Sequence, residues 1–226
     1  MVKYYALRIL LPLLVLGGVT FGVGELILAV PTGEDAVSRG LAAGRTPLLN
    51  TLTDLGSSLS DTPYIVALTA ITGIVFRLVY HRWLETIFLV TAVWSQSLVF
   101  LATTEPIGRH RPPVPHLDPA PPTSSFPSGH VSAAVCFYCG VALVLTSHLR
   151  SRALQVLVWV PGVAAPLIVA FSRLYRGMHF LTDVGWGLLL GACCLAITAT
   201  ILYGRPQKPP ERRNQDGLPS GSTTMR

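Results

Sequence analysis

Two histidines in this chain have neighbours that could make them reactive. Pro127-Ser128-Gly129-His130 opens a long apolar run, and the segment from Ser172 to Asp183 holds Ser172, Arg173, His179 and Asp183. If Pro127 occupies the first turn of a helix, the N–H groups of Ser128 and Gly129 have no helical acceptor, and such an end takes up phosphate oxygens. Gly129 keeps the approach clear and Ser128 adds a hydroxyl donor. His130 then stands beside the anion with a proton to give or take near neutral pH. His179 and Asp183 are four residues apart, which on a helix is one face. A carboxylate on one imidazole nitrogen leaves the other free as a nucleophile. Arg111 and Arg173 supply permanently charged, planar forks that suit a phosphoryl group. Together these residues describe phosphoryl transfer without a metal or other cofactor.

Taken singly, each has a plainer reading. Asp183 could neutralise Arg173 or Arg176, and His130 and His179 could each be a polar cap. The three clusters Gly108–Pro113, Pro127–His130 and Ser172–Asp183 converge on one face of the map derived next, and that convergence favours chemistry. Cys136 and Cys139 form a CxxC, but inside VCFYCGVALVL it reads as helix packing.

The elements that must position these residues follow from hydropathy. Of 226 residues 50% are hydrophobic and 12% charged, against about a quarter charged in a soluble domain. Six apolar stretches, near 9–30, 62–80, 83–102, 128–149, 153–171 and 180–203, have the length a bilayer requires. The expected fold is all-α, a six-span membrane bundle in one unit covering 1–203. A Pro-, Arg- and Ser-rich tail, 204–226, is expected to be disordered. The first stretch is too long for a signal-peptide core, so it reads as a retained anchor. Asp61-Thr62-Pro63 is a helix start. Within the connection 31–61, residues 41–57 read as one short amphipathic helix lying in the interface.

Lys3, Arg8, Arg77, Arg82, Arg150, Arg152 and the basic residues of the tail fall on one side of this map; Arg39, Arg45, Arg109, Arg111, Arg173 and Arg176 fall on the other with most of the acids. The excess of Lys and Arg places both termini in the cytoplasm. The net charge of +6 is then a topology signal rather than a sign of nucleic-acid binding. All three reactive clusters face outward, where a lipid phosphate could enter sideways from the outer leaflet.

The clusters resemble the signature motifs of the type-2 phosphatidic acid phosphatase superfamily, K-x6-RP, PSGH and SR-x5-H-x3-D. The second is complete at Pro127–His130 and the third at Ser172, Arg173, His179 and Asp183. The resemblance implies that His179 is a nucleophile forming a phosphohistidine and that Asp183 orients it. It implies that His130 is the acid that protonates the leaving oxygen, and that Arg111, Ser128, Gly129 and Arg173 are the phosphate cradle. It implies a lipid phosphatase of bacterial plasma-membrane type, acting on polyprenyl diphosphate, phosphatidate or phosphatidylglycerol phosphate. A phosphotransferase of the same fold and a catalytically inactive lipid-binding protein are the alternatives. One position departs: counting back from Arg111-Pro112, Thr104 stands where the family has lysine. Either Arg109 in the same loop supplies the missing charge, or the substrate differs.

Overall fold

The structure, a computed structural model, describes residues 2–30 and 32–204, with side chains from Leu7 onward. Six of its helices are long and apolar enough to cross a membrane. They comprise α1 (Val2–Ala29), α4 (Thr62–Tyr80), α5 (Leu84–Ile107), a segment in three parts, α8 (Arg152–Tyr175) and α9 (Leu181–Tyr203). The three-part segment is α6 (Gly129–Ala134), a π turn over Val135–Cys139, and α7 (Gly140–Ser147). The expected tail lies outside the described residues apart from Gly204.

The centre is built from α5, α6–α7 and α9. Phe88, Leu89, Ala92, Cys136, Val144, Leu190 and Cys194 are fully buried there. Leu11, Leu14, Ile71, Ile74, Leu157 and Val160 are exposed on the outer helices. Such a surface suits hydrocarbon, where a helix satisfies its own backbone groups. Cys136 Sγ donates to the Gly191 carbonyl at 3.3 Å and Cys139 Sγ to that of Gly162 at 3.2 Å, so the CxxC ties α6–α7 to α9 and α8.

Some boundaries differ from the expectation, and each difference bears on the site. The third span continues past Ala102 to Ile107 and stops at Gly108, whose φ of 59° suits the left-handed end of a helix. Thr104 is therefore a buried helical residue. The fifth span runs to Tyr175, which puts Arg173 on a helix rather than in a loop. The connection after α1 holds two helices where one was expected, α2 (Asp35–Ala43) and α3 (Pro47–Ser58), because Gly44-Arg45-Thr46 interrupts it. Thr46 caps α3 by accepting from the Leu49 N–H. That helix packs on α8, with Thr53, Gly56 and Ser57 buried.

Candidate active site

The three clusters meet at one end of the bundle. The loop from Gly108 to Ser128 is folded back on itself. The Arg109 N–H donates to Ser124 Oγ at 2.9 Å, the Ser125 N–H to the Arg109 carbonyl at 2.9 Å, and Ser125 Oγ to the His110 carbonyl at 2.9 Å. These bonds bring Arg111 beside the start of α6. From the other side, Gly177 at φ 76° turns the chain after α8 so that His179 points back at the same place.

His179 precedes α9, which starts at Leu181, so its ion-pair contact with Asp183 is made across the helix start rather than along one helix face. Its Nδ1 lies 2.7 Å from the Ser125 carbonyl oxygen and 3.8 Å from Asp183 Oδ2. A carbonyl can only accept, so Nδ1 carries the proton and Nε2 the lone pair. Burial pushes this imidazole down to about 4, so it is neutral and nucleophilic at neutral pH. Asp183 is engaged elsewhere. Its Oδ2 accepts the Phe180 N–H at 2.7 Å, capping α9, and its Oδ1 pairs with Arg109.

Arg109 is consequently not placed to hold phosphate, which corrects the expectation that it replaces the family lysine. Its guanidinium binds Asp183, Glu34 Oε2 at 2.9 Å and Thr182 Oγ1 at 2.8 Å, and stacks over the Phe180 ring at 4.4 Å. Burial raises the Glu34 carboxyl, but bonds from Thr182 and Arg109 outweigh it and hold the group below its ordinary value. At Thr104 the hydroxyl reaches the Ser124 carbonyl, at 3.5 Å, and among the described residues it bonds no cation.

The cradle residues do converge. Arg173 donates to Ser57 Oγ and Asp118 Oδ2, both at 2.9 Å, while its Nε has no partner among the described residues. Arg111 donates to the Met178 carbonyl at 2.7 Å, and its Nε is likewise unpaired. Burial holds the Arg111 guanidinium below its ordinary value, the mark of a charge short of an anion. Ser128 Oγ is buried and unpaired too. The expectation of a free Ser128 N–H is corrected, because that group donates to the Asp183 carbonyl at 3.1 Å. Gly129 starts the helix, and a Cβ there would meet the Phe100 ring at 3.0 Å.

His130 Nε2 lies 3.1 Å from Asp61 Oδ1. This bond is the largest cause holding the Asp61 carboxyl below its usual range. Neither Asp61 nor Glu34, Ser57 or Asp118 was singled out as a site residue from sequence. Only Asp61 carried a signal, as an acid at a helix start on the site's own face.

Arg111, Arg173, His130, His179 and Gly129 line one end of a cavity of about 490 Å³. Its other end, between α4 and α5, is walled by Ile65, Val66, Trp94, Leu98 and Leu101. A larger groove of about 930 Å³ on the α7–α8 face holds none of the reactive residues.

Comparison with known proteins places this arrangement. The profile described as "PAP2 superfamily" matches residues 83–207. Phosphatidylglycerophosphatase B of Bacillus subtilis (strain 168) is 33% identical over 172 residues, 72% of this chain and 80% of that protein. An undecaprenyl-diphosphatase of Sulfolobus acidocaldarius is 33% identical over 96 residues, 42% of each chain. Among solved structures, the transmembrane PAP2-type phosphatidylglycerolphosphate phosphatase from Bacillus subtilis aligns with a TM-score of 0.71 and 26% identity, over 86% of this chain and 94% of that one. LpxE of Aquifex aeolicus shares the fold, with a TM-score of 0.57 and 23% identity over 73% of this chain and 93% of its own. With its profile match, its similarity to phosphatidylglycerophosphatase B and its six apolar helices, this chain belongs to the PAP2 superfamily of integral membrane proteins.

Proposed function

We propose that the protein is a lipid phosphatase that works through a phosphohistidine on His179. The observation that carries this reading is the pair of buried unpaired donors, Arg111 Nε and Arg173 Nε, on residues that line the polar end of a cavity whose other end is apolar, with the buried, unpaired Ser128 Oγ next in the chain to its lining residue Gly129. A buried donor without an acceptor is costly, and a bound phosphoryl group satisfies all three at once. The lipid chain lies in the apolar end.

His179 Nε2 attacks phosphorus with its lone pair. The bond from phosphorus to the lipid oxygen breaks, and that oxygen takes a proton from His130. Water then attacks phosphorus while giving a proton to His130, and the phosphorus–nitrogen bond breaks with its electron pair returning to His179 Nε2, which releases inorganic phosphate. Asp183 lies close enough to steady the positive charge that His179 gains. The lipid enters from the outer leaflet, and the site faces away from the cytoplasm. A phosphomonoester of a glycerolipid, such as phosphatidylglycerol phosphate, fits best: among the described residues the cations lining the cavity are Arg111 and Arg173, and the relative similar over most of its length is named for that substrate. Polyprenyl diphosphate is the competing class, after the name of the relative matched over a shorter stretch.

Purified protein is tested for phosphate release from a panel of lipid phosphates. Activity is expected to survive excess EDTA, since the two arginines supply the positive charge, and to be inhibited by vanadate, which mimics the transition state. His179→Ala abolishes the phosphoenzyme trapped from labelled substrate. A labelled phosphoenzyme in His179→Ala, or loss of activity with EDTA and rescue by magnesium, defeats the mechanism.

A further inference from the structure

We propose that Asp61 is the positioning residue of the acid–base histidine: its carboxylate holds His130 Nε2 and so leaves Nδ1 to serve the leaving oxygen. The inference rests on the phosphatase reading above. Asp61 occupies the N-cap position of α4 with extended backbone, φ −61° and ψ 142°, yet makes no side-chain bond to its own helix. An aspartate at this position usually satisfies the helix end. Here the carboxylate reaches His130 Nε2 at 3.1 Å instead.

Neighbouring bonds hold that geometry in place. Ser60 Oγ donates to the His130 carbonyl at 2.7 Å, and the Tyr138 hydroxyl to the Leu59 carbonyl at 2.8 Å. The turn between α3 and α4 is thus fastened to α6 at the histidine and to the π turn that follows. No described residue hydrogen-bonds Nδ1 of His130. Arg173 and Asp118 are the other charged groups acting on the ring, and Arg173 and Arg176 act on Asp61.

The two histidines are anchored differently, and the difference matches their roles. The shortest bond of His179 is to a carbonyl, which sets its tautomer, with the Asp183 carboxylate farther off at 3.8 Å. His130 is held by a carboxylate, which favours the imidazolium that must donate a proton.

The test uses full-length protein and two substrates, a short-chain phosphatidate with a poor alkoxide leaving group and p-nitrophenyl phosphate with a good one. Asp61→Asn is expected to lower kcat on phosphatidate by about 10–100-fold, part of what general acid catalysis supplies, with KM nearly unchanged. The loss on p-nitrophenyl phosphate is at most about 3-fold, because that leaving group needs no proton. The basic limb of the phosphatidate profile moves to lower pH, since removing the anion weakens proton binding by His130. In a His130→Ala background Asp61→Asn adds nothing. Asp61→Glu recovers part of the activity. Asn and Ser both cap helices well, so Asp61→Ser repeats the experiment without the charge should Asp61→Asn fold poorly. Ser60→Ala is the control for the turn, and any loss it causes falls equally on both substrates.

Equal losses on both substrates with an unmoved pH profile, or full additivity with His130→Ala, overturn the proposal. A reading independent of turnover is the pH dependence of His130 acylation by diethyl pyrocarbonate, followed by mass spectrometry. Its midpoint falls in Asp61→Asn if the proposal holds and stays put if it does not. That assay separates failure of this pairing from failure of the phosphatase reading, which shows as activity retained in His179→Ala.

Discussion

Arg109 divides its guanidinium between Glu34 and Asp183 while only 7% exposed. Removing it strands two buried carboxylates. Arg109→Ala is therefore expected to destabilise the protein by about 3–5 kcal/mol, as a broken buried pair does, and to lower activity through Asp183. Thr104→Lys does not rescue it, because the lost charge belongs to Asp183 and not to substrate. Melting curves and phosphate release on the two single variants and the double decide the point. Recovery of activity in the double would restore Arg109 as a substitute for the family lysine. His179 yields a second prediction at this scale. Its imidazole sits at about 4 in the folded protein, against about 6.5 in an unfolded chain. Between those values the unfolded state holds a proton that the folded state lacks. Acidification from about 6.5 to 4 hence favours unfolding, and above that window His179 contributes no pH dependence. The acid limb of kcat/KM lies well below 6.5 once the substrate's second ionisation, near about 6, is factored out. An acid limb at 6.5 after that correction would mean that His179 is solvated when it acts. The residue types and spacings of His130, His179, Arg111 and Arg173 were readable from the chain. Their partners were not, because a backbone carbonyl such as that of Ser125 has no sequence signature.

The start of α6 is set by how closely α9 approaches it. A Cβ at Gly187 would stand 2.8 Å from the Ser128 carbonyl, and one at Gly191 2.7 Å from that of Ser132. Nothing lies within 4 Å at Gly185 on the same helix. Gly187→Val and Gly191→Val must lift the turn that carries Ser128, Gly129 and His130. Misplacing a catalytic group by an ångström costs about 10²-fold, and a loss of that order in kcat is expected for both variants. Gly185→Val stays within about 3-fold of the parent protein, as a change into open space should. Similar losses in all three would point to general damage. Element starts and stops were legible wherever a local signal exists, as at Asp61-Thr62-Pro63 for α4. The run of α5 past Ala102 and the split into α2 and α3 were missed. Polar residues are tolerated in a helix that is buried by tertiary contact, and Thr46-Pro47, a capping residue followed by proline, was passed over as a helix start.

For the molecule as a whole, charge supports a proposed orientation. Arg77, Arg82, Arg150 and Arg152 lie at the end of the bundle away from the site, and by the positive-inside rule we propose that this end is cytoplasmic. Pro115 is exposed at the site end, and only its backbone oxygen is used, accepting from Arg45. After Cys136, Cys139, Cys193 and Cys194 are replaced, Pro115→Cys should react with an impermeant maleimide in intact cells. Arg150→Cys should react only after lysis. The reverse pattern would put the site in the cytoplasm and remove entry from the outer leaflet.

Hydropathy, helix punctuation and the motif spacings by themselves determined the class of this protein, the number of its spans and the residues proposed to react. Those signals are local, each contained within about one bilayer-crossing stretch of chain. Which groups the reactive residues pair with was decided only by packing. Asp61 and His130 are 69 positions apart, and Arg109 and Glu34 are 75 apart. Such pairs depend on how far each helix extends and which face it turns to its neighbours, and no spacing along the chain encodes that. The same packing took Arg109 from the phosphate and gave it to Asp183, and turned Asp61 from its own helix end to His130.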